Sequence, residues 1–233
     1  MNKASSESPY FWLLLTLAML VPFVVTLFYF VLLEESIVGK ALYASLKLFT
    51  LIWPLFCYRF IWKRPMSELF HWTEESPKFL LVGFISGLLI LAVMLGVLNT
   101  PLSQGIWDAS EDIKKKLNAF DVLTYFWLFA FFISLIHSLI EEYYWRWFVF
   151  AELESVVRPR IAYLLATLSF TAHHVVLLSQ FFEAAYVVLL SLGVAIAGLL
   201  WCVMYACERG VLSPWISHAF ADVGIFAVAY TVL

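Results

Sequence analysis

The chain has 233 residues, of which 64% are hydrophobic and only 13% charged, against roughly 45–50% apolar and about 25% charged in an ordinary soluble domain. A core of this size cannot hide that much apolar surface, so a water-soluble globule is excluded and lipid is the solvent for much of the chain. Fourteen basic residues against 17 acidic ones give a net charge of -3, and no basic block is longer than Lys114-Lys115-Lys116, which excludes a nucleic-acid surface.

Apolar stretches follow one another at Tyr10 to Leu33, Ala41 to Trp62, Phe79 to Leu98, Val122 to Ile140 and beyond, Ile161 to Ser179, Ala184 to Ala206, and Val211 to Leu233. Each supplies the roughly 20 residues that cross about 30 Å of hydrocarbon as helix. Helix is required, because backbone polar groups in lipid must be satisfied within their own segment. The expected fold is all-α, a polytopic membrane protein with about seven transmembrane helices. The first stretch is too long for a signal-peptide core and has no Ala-x-Ala-like site after it, so it reads as retained. Cys57, Cys202 and Cys207 lie in or beside apolar stretches without metal-ligand spacing and read as small core residues.

Basic residues set the orientation. Lys3, Arg59, Lys63, Arg64, Lys78, Arg158, Arg160 and Arg209 fall at one face, and Lys40, Lys47 and Lys114 to Lys116 at the other. The richer face is expected to be cytoplasmic, with the N-terminus on that side. In the connection from Asn99 to Asp121, Asp108-Ala-Ser-Glu111 precedes Ile113 and Leu117, which predicts a capping-box start to a short interfacial helix. A solvated loop is the other reading.

The fourth stretch continues from Ile140 into Glu141-Glu142-Tyr-Tyr-Trp-Arg146 before further apolar residues. Three charges near a helix centre would cost about 2.5–3.5 kcal/mol each. Either they anchor the end of the span at the interface or they are kept for chemistry. Glu142 and Arg146 are four apart and pair on one face, whereas Glu141 is rotated about 100° away. That leaves Glu141 as a spare carboxylate, suited to taking a proton from water, with His137 one turn away. The fifth stretch carries Phe170-Thr-Ala-His173-His174, and the seventh His218-Ala-Phe-Ala-Asp222 with its two polar residues on one face. A lone membrane histidine usually bonds helix to helix. Acids and imidazoles on three spans at overlapping depth are functional candidates.

These segments resemble the signature of the CPBP (Abi) family of glutamic intramembrane proteases, which includes the type II CAAX prenyl endopeptidases. The motifs Glu-Glu-x-x-x-Arg, Phe-x-x-x-His and His-x-x-x-Asn/Asp stand here as Glu141-Glu142-Tyr-Tyr-Trp-Arg146, Phe170-Thr-Ala-His-His174 and His218-Ala-Phe-Ala-Asp222. The resemblance covers about Val122 to Leu233, and the first three stretches have no counterpart in it. It implies one transmembrane domain, with three variable N-terminal spans over 1–98 and a protease-like four-helix core over 122–233.

The resemblance also implies a peptide or protein substrate at or in the membrane, possibly lipidated, membrane lipid as the surroundings, and no cofactor or metal. Glu141 would be the general base, with His174 as its partner in holding a water and His218 and Asp222 near the developing oxyanion. Asp222, where many members have Asn, is expected to orient His218. Glu142, Arg146 and Phe170 would support the site, with His174 facing it and His173 turned to a neighbouring helix. Three other readings remain: a metal-dependent hydrolase using His174, His218 and Glu141, a non-catalytic immunity or assembly factor whose polar cluster glues helices, and a proton-coupled transporter. The plasma membrane is the expected location.

Overall fold

The computed structural model describes residues 10–33, 36–63, 76–119 and 122–233. Among the described residues, seven helices are long and apolar enough to cross a membrane: α1 (Phe11–Leu32), α2 (Ile37–Ile61), α3 (Pro77–Val97), and, after two short helices α4 (Gln104–Asp108) and α5 (Ser110–Ala119), α6 (Phe126–Val156), α7 (Pro159–Leu178), α8 (Ala184–Glu208) and α9 (Leu212–Thr231). No strand occurs among the described residues. The chain is an all-α integral membrane protein, and the helix limits follow the apolar stretches within a few residues, except that α6 runs well past Ile140.

The turns between helices have local causes. Arg158 is extended at ψ 140 and Pro159 opens α7, since proline disfavours helix in the residue before it and is preset for the first turn of one. Arg209 ends α8 in the left-handed region at φ 57, and the buried Glu208 Oε2 then accepts from Ser213 N at 3.0 Å in the first turn of α9. Ser36 accepts from Gly39 N at 2.9 Å and starts α2. Asp108 does not cap α5. It ends α4, accepting from Gln104 Nε2 at 2.8 Å, and α5 begins at Ser110 with Glu111 and Asp112 in its first turn.

Helix α3 lies along α9, and α8 packs on both α7 and α9. Gly83 and Gly87, four apart on α3, allow the first of these contacts. A Cβ on Gly83 would come within 2.6 Å of Ser213 O, and one on Gly87 within 2.7 Å of the Phe220 ring. Small residues at this spacing let two helices meet in lipid, where apolar burial supplies no drive.

An aromatic core of Phe11, Tyr58, Trp62, Tyr144, Trp147 and Phe148 fastens α1 and α2 to α6. Lys3 and Arg64, two of the charges used to orient the chain, lie outside the described residues. Lys47 sits ten residues into α2, about 15 Å along the axis.

A candidate active site between four helices

The centre of α6 changes winding around the acids. A regular turn, Ser138–Glu142, is held between two wider π-helical stretches, Phe132–His137 and Tyr143–Phe150. Such stretches cluster at functional sites, because loosening the ladder re-aims side chains that α-winding would space differently. All eight residues of Tyr143–Phe150 are buried, Arg146 among them.

Arg146 donates from Nη1 to Glu142 Oε1 at 2.9 Å and from Nη2 to the carbonyl of Gly198 on α8 at 3.2 Å. Its guanidinium carbon lies 4.4 Å from the Phe170 ring centre and 5.0 Å from that of Trp201. Gly198 makes this close packing possible, since a Cβ there would stand 3.0 Å from Phe170 and 3.5 Å from Nη2. The charges are therefore not interfacial anchors: Glu142 is 0% and Arg146 1% exposed.

His218 of α9 completes this group. Its Nδ1 lies 2.7 Å from the same Glu142 Oε1. A carboxylate without a proton only accepts, so Nδ1 carries the hydrogen and donates. The outward nitrogen, Nε2, faces Glu141 Oε2 and Asp222 Oδ1, each at 3.8 Å. Here the expected roles change. Glu142, not Asp222, orients His218, because 3.8 Å exceeds hydrogen-bond reach and 2.7 Å lies well within it. The Trp201 ring stacks on the imidazole at 4.0 Å and 18°, and its Nε1 donates to Ser217 Oγ at 3.0 Å, which also receives Ser86 Oγ from α3 at 3.0 Å.

Glu141, the second carboxylate, is partly exposed at 14% and has imidazoles around it. His137 Nε2 and His173 Nε2 each lie 3.6 Å from Oε1, and His218 Nε2 lies 3.8 Å from Oε2. Neighbours at 3.6–3.8 Å are too far for direct hydrogen bonds and close enough for one water to bond to both.

The paired histidines of α7 both reach this place. His174 Nδ1 lies 2.9 Å from Phe170 O, the carbonyl one turn back, so Nδ1–H donates and Nε2 keeps a lone pair when the ring is neutral. One ring nitrogen of each histidine and one oxygen of Glu141 lie within 4.8 Å of one another. The expectation that His173 turns away to a neighbouring helix is corrected. Two side chains 100° apart can both flank a carboxylate that arrives from a third helix, and a parallel stack of His173 on Trp145, at 5.4 Å and 4°, steers it there. Phe170 is buried, with its ring 4.6 Å from His174.

The same trio of donor atoms is the group among the described residues that could hold a metal ion. It contains His173 in place of His218, whose Nδ1 is engaged by Glu142. Trp201, Gly198 and Ser86 had no polar spacing to reveal them in the sequence. Lys47 was counted as a surface charge, yet its Nζ lies 3.3 Å from His137 Nε2.

Residues 123–224, from the approach to α6 to the middle of α9, match the family model described as Type II CAAX prenyl endopeptidase Rce1-like. No curated protein and no solved structure matches the chain.

Proposed function

Because residues 123–224 form an Rce1-like type II CAAX prenyl endopeptidase domain, and so a membrane protease at the level of the family, we propose an intramembrane endopeptidase that uses Glu141 to draw a proton from water. The observation that carries this reading is the division of labour between adjacent carboxylates. Glu142 is fully buried, and its Oε1 is engaged by both Arg146 and His218, whereas Glu141 accepts no hydrogen bond within 3.5 Å from them and is partly exposed.

In this mechanism a water rests between the Glu141 carboxylate and the Nε2 lone pair of His174. Its oxygen attacks the carbonyl carbon of the scissile peptide bond while its proton passes to Glu141. The negative charge that develops on the carbonyl oxygen meets His218, which donates from Nε2 when its ring is protonated, with Glu142 holding Nδ1. Donors aimed at such an oxygen are worth about 2.7–4 kcal/mol. Glu141 then passes its proton to the departing amine as the C–N bond breaks. Asp222 Oδ1 lies 3.8 Å from the same Nε2. Phe170 and Trp201 keep bulk water out, which strengthens each of these interactions.

The four-helix part, 122–233, is read as the catalytic core and the first three helices as its variable support. The chain is placed in the plasma membrane with a cytoplasmic N-terminus, acting on a prenylated or otherwise membrane-anchored peptide. The test is cleavage by purified protein in liposomes, run in 18O water. A new carboxylate carrying label from the solvent fits attack by water, whereas transfer of the substrate to a protein side chain before release overturns it.

A second reading has an observation of its own. Glu141, His173 and His174 could hold a divalent ion, which would make the ion the activator of water. Activity that survives exhaustive chelation favours the carboxylate mechanism, and loss restored by zinc favours the ion.

A further inference from the structure

We propose that Lys47, from the second helix, is a carboxylate-binding subsite that seats the free C-terminus of the peptide substrate beside Glu141. The inference rests on the protease reading above and concerns a residue outside the matched segment.

A lysine deep within an apolar span is costly and persists where it has a partner or reaches a wet cavity. Lys47 has part of a partner. Its Nζ lies 3.3 Å from His137 Nε2 and 5.0 Å from the centre of the Tyr43 ring. An ammonium carries three donors, and one imidazole nitrogen takes only one of them. The side chain is exposed, so the remaining donors are open to a ligand.

Charge then narrows the ligand. Glu141, Glu142 and Asp222 bring three carboxylates to the site, and Arg146 is buried against Glu142 and Gly198. Lys47 is exposed and Arg146 is buried, so a substrate anion is drawn to the lysine. Distance narrows it further. His137 Nε2 is shared, 3.3 Å from Nζ and 3.6 Å from Glu141 Oε1, so cation and base are separated by the reach of about two extended residues at roughly 3.4 Å each. An anion held by Lys47 while a carbonyl lies at Glu141 therefore belongs two or three residues from the cleaved bond. The α-carboxylate is the anion that every peptide carries on its backbone, and an acidic side chain at that position is the competing source.

The test uses one farnesylated peptide in three forms, ending in a free acid, in an amide, and in an amide with glutamate as the last residue. Binding is measured on the Glu141→Gln protein in liposomes, and cleavage on the parent. The free acid should bind about tenfold or more tightly than the amide, as befits a charge-assisted hydrogen bond. Lys47→Met should remove that preference and Lys47→Arg keep most of it, with Lys40→Met, an exposed lysine on the same helix, without effect.

In cleavage, Lys47→Met should raise KM for the free acid about tenfold or more relative to KM for the amide. Equal binding of acid and amide by the unmutated Lys47 protein overturns the subsite without recourse to a variant, as does no binding of any form. A preference that survives Lys47→Met, or an equal loss for acid and amide, overturns it as well. Binding of the glutamate amide as tightly as the free acid assigns the subsite to acidic side chains and overturns the C-terminal assignment. Acid-selective binding without cleavage by the parent leaves the subsite standing and sinks the protease reading.

Discussion

Helices α1 to α3 and helices α6 to α9 are built from the same apolar residues, yet they treat polar groups in opposite ways. Along α3, Leu81, Val82, Phe84, Ile85, Leu88 and Leu89 are exposed, and among the described residues the first three helices give the site Lys47 and Ser86. Along α6 and α9, Ser138, Glu142, Arg146, Ser217, His218 and Asp222 are buried. The difference is one of partners. A charge in the interior is tolerated where an opposing donor or acceptor comes from another helix. Glu142 has Arg146 one turn on and His218 from α9, whereas the exposed row of α3 is apolar and asks for no polar complement.

Substitutions that remove this complementarity should grade by region. Glu141→Gln is expected to have the largest effect, lowering turnover by about 10²–10⁴ with the melting temperature unchanged. Activity close to that of the parent would remove Glu141 from the role of base. Glu142→Ala deprives both Arg146 and His218 of their acceptor, and about 3–5 kcal/mol of stability should go with it. A thermal unfolding midpoint equal to that of the parent would mean that the pair is hydrated rather than buried.

Gly198→Ala should follow at about 1–3 kcal/mol, the usual cost of overpacking, because the added methyl presses on Phe170 and Arg146. Unfolding in a detergent series would read it, and a neutral result would show that the ring can give way. Ser86→Ala should be the mildest, about 0.6 kcal/mol as for an average hydrogen bond between membrane helices. If it proved as damaging as Glu142→Ala, the contrast between the two halves would fail.

Much of this was legible in the residues. Seven spans announce themselves because lipid demands about 20 apolar residues at a stretch, and the pairing of Glu142 with Arg146 follows from a spacing of four on one helix. What could not be read concerns contacts between helices. Spacing joins His218 to Asp222, its neighbour at i+4, but the bond goes to Glu142, 76 residues earlier in the chain. Spacing likewise sends His173 and His174 to different sides, and the position of Glu141 between α6 and α7 brings them together again. Lys47 was assigned to a surface because a count of charges by face has no depth in it. The π-winding of α6 has no sequence signal comparable to proline or glycine, so the re-aiming of its side chains stayed invisible.

The docking of α9 on α3 also orders the birth of the molecule. Synthesis runs from the N-terminus, so Glu141, Glu142 and the two histidines of α7 exist before His218 has been made. Until α9 settles against Gly83 and Gly87, the nascent bundle holds Glu141 and its imidazole neighbours but lacks the ring that bonds to Glu142. Helix α9, made after α6 and α7, therefore brings the group proposed to receive the oxyanion. A ribosome-bound chain arrested before α9 therefore holds Glu142 without the imidazole that it bonds in the finished fold.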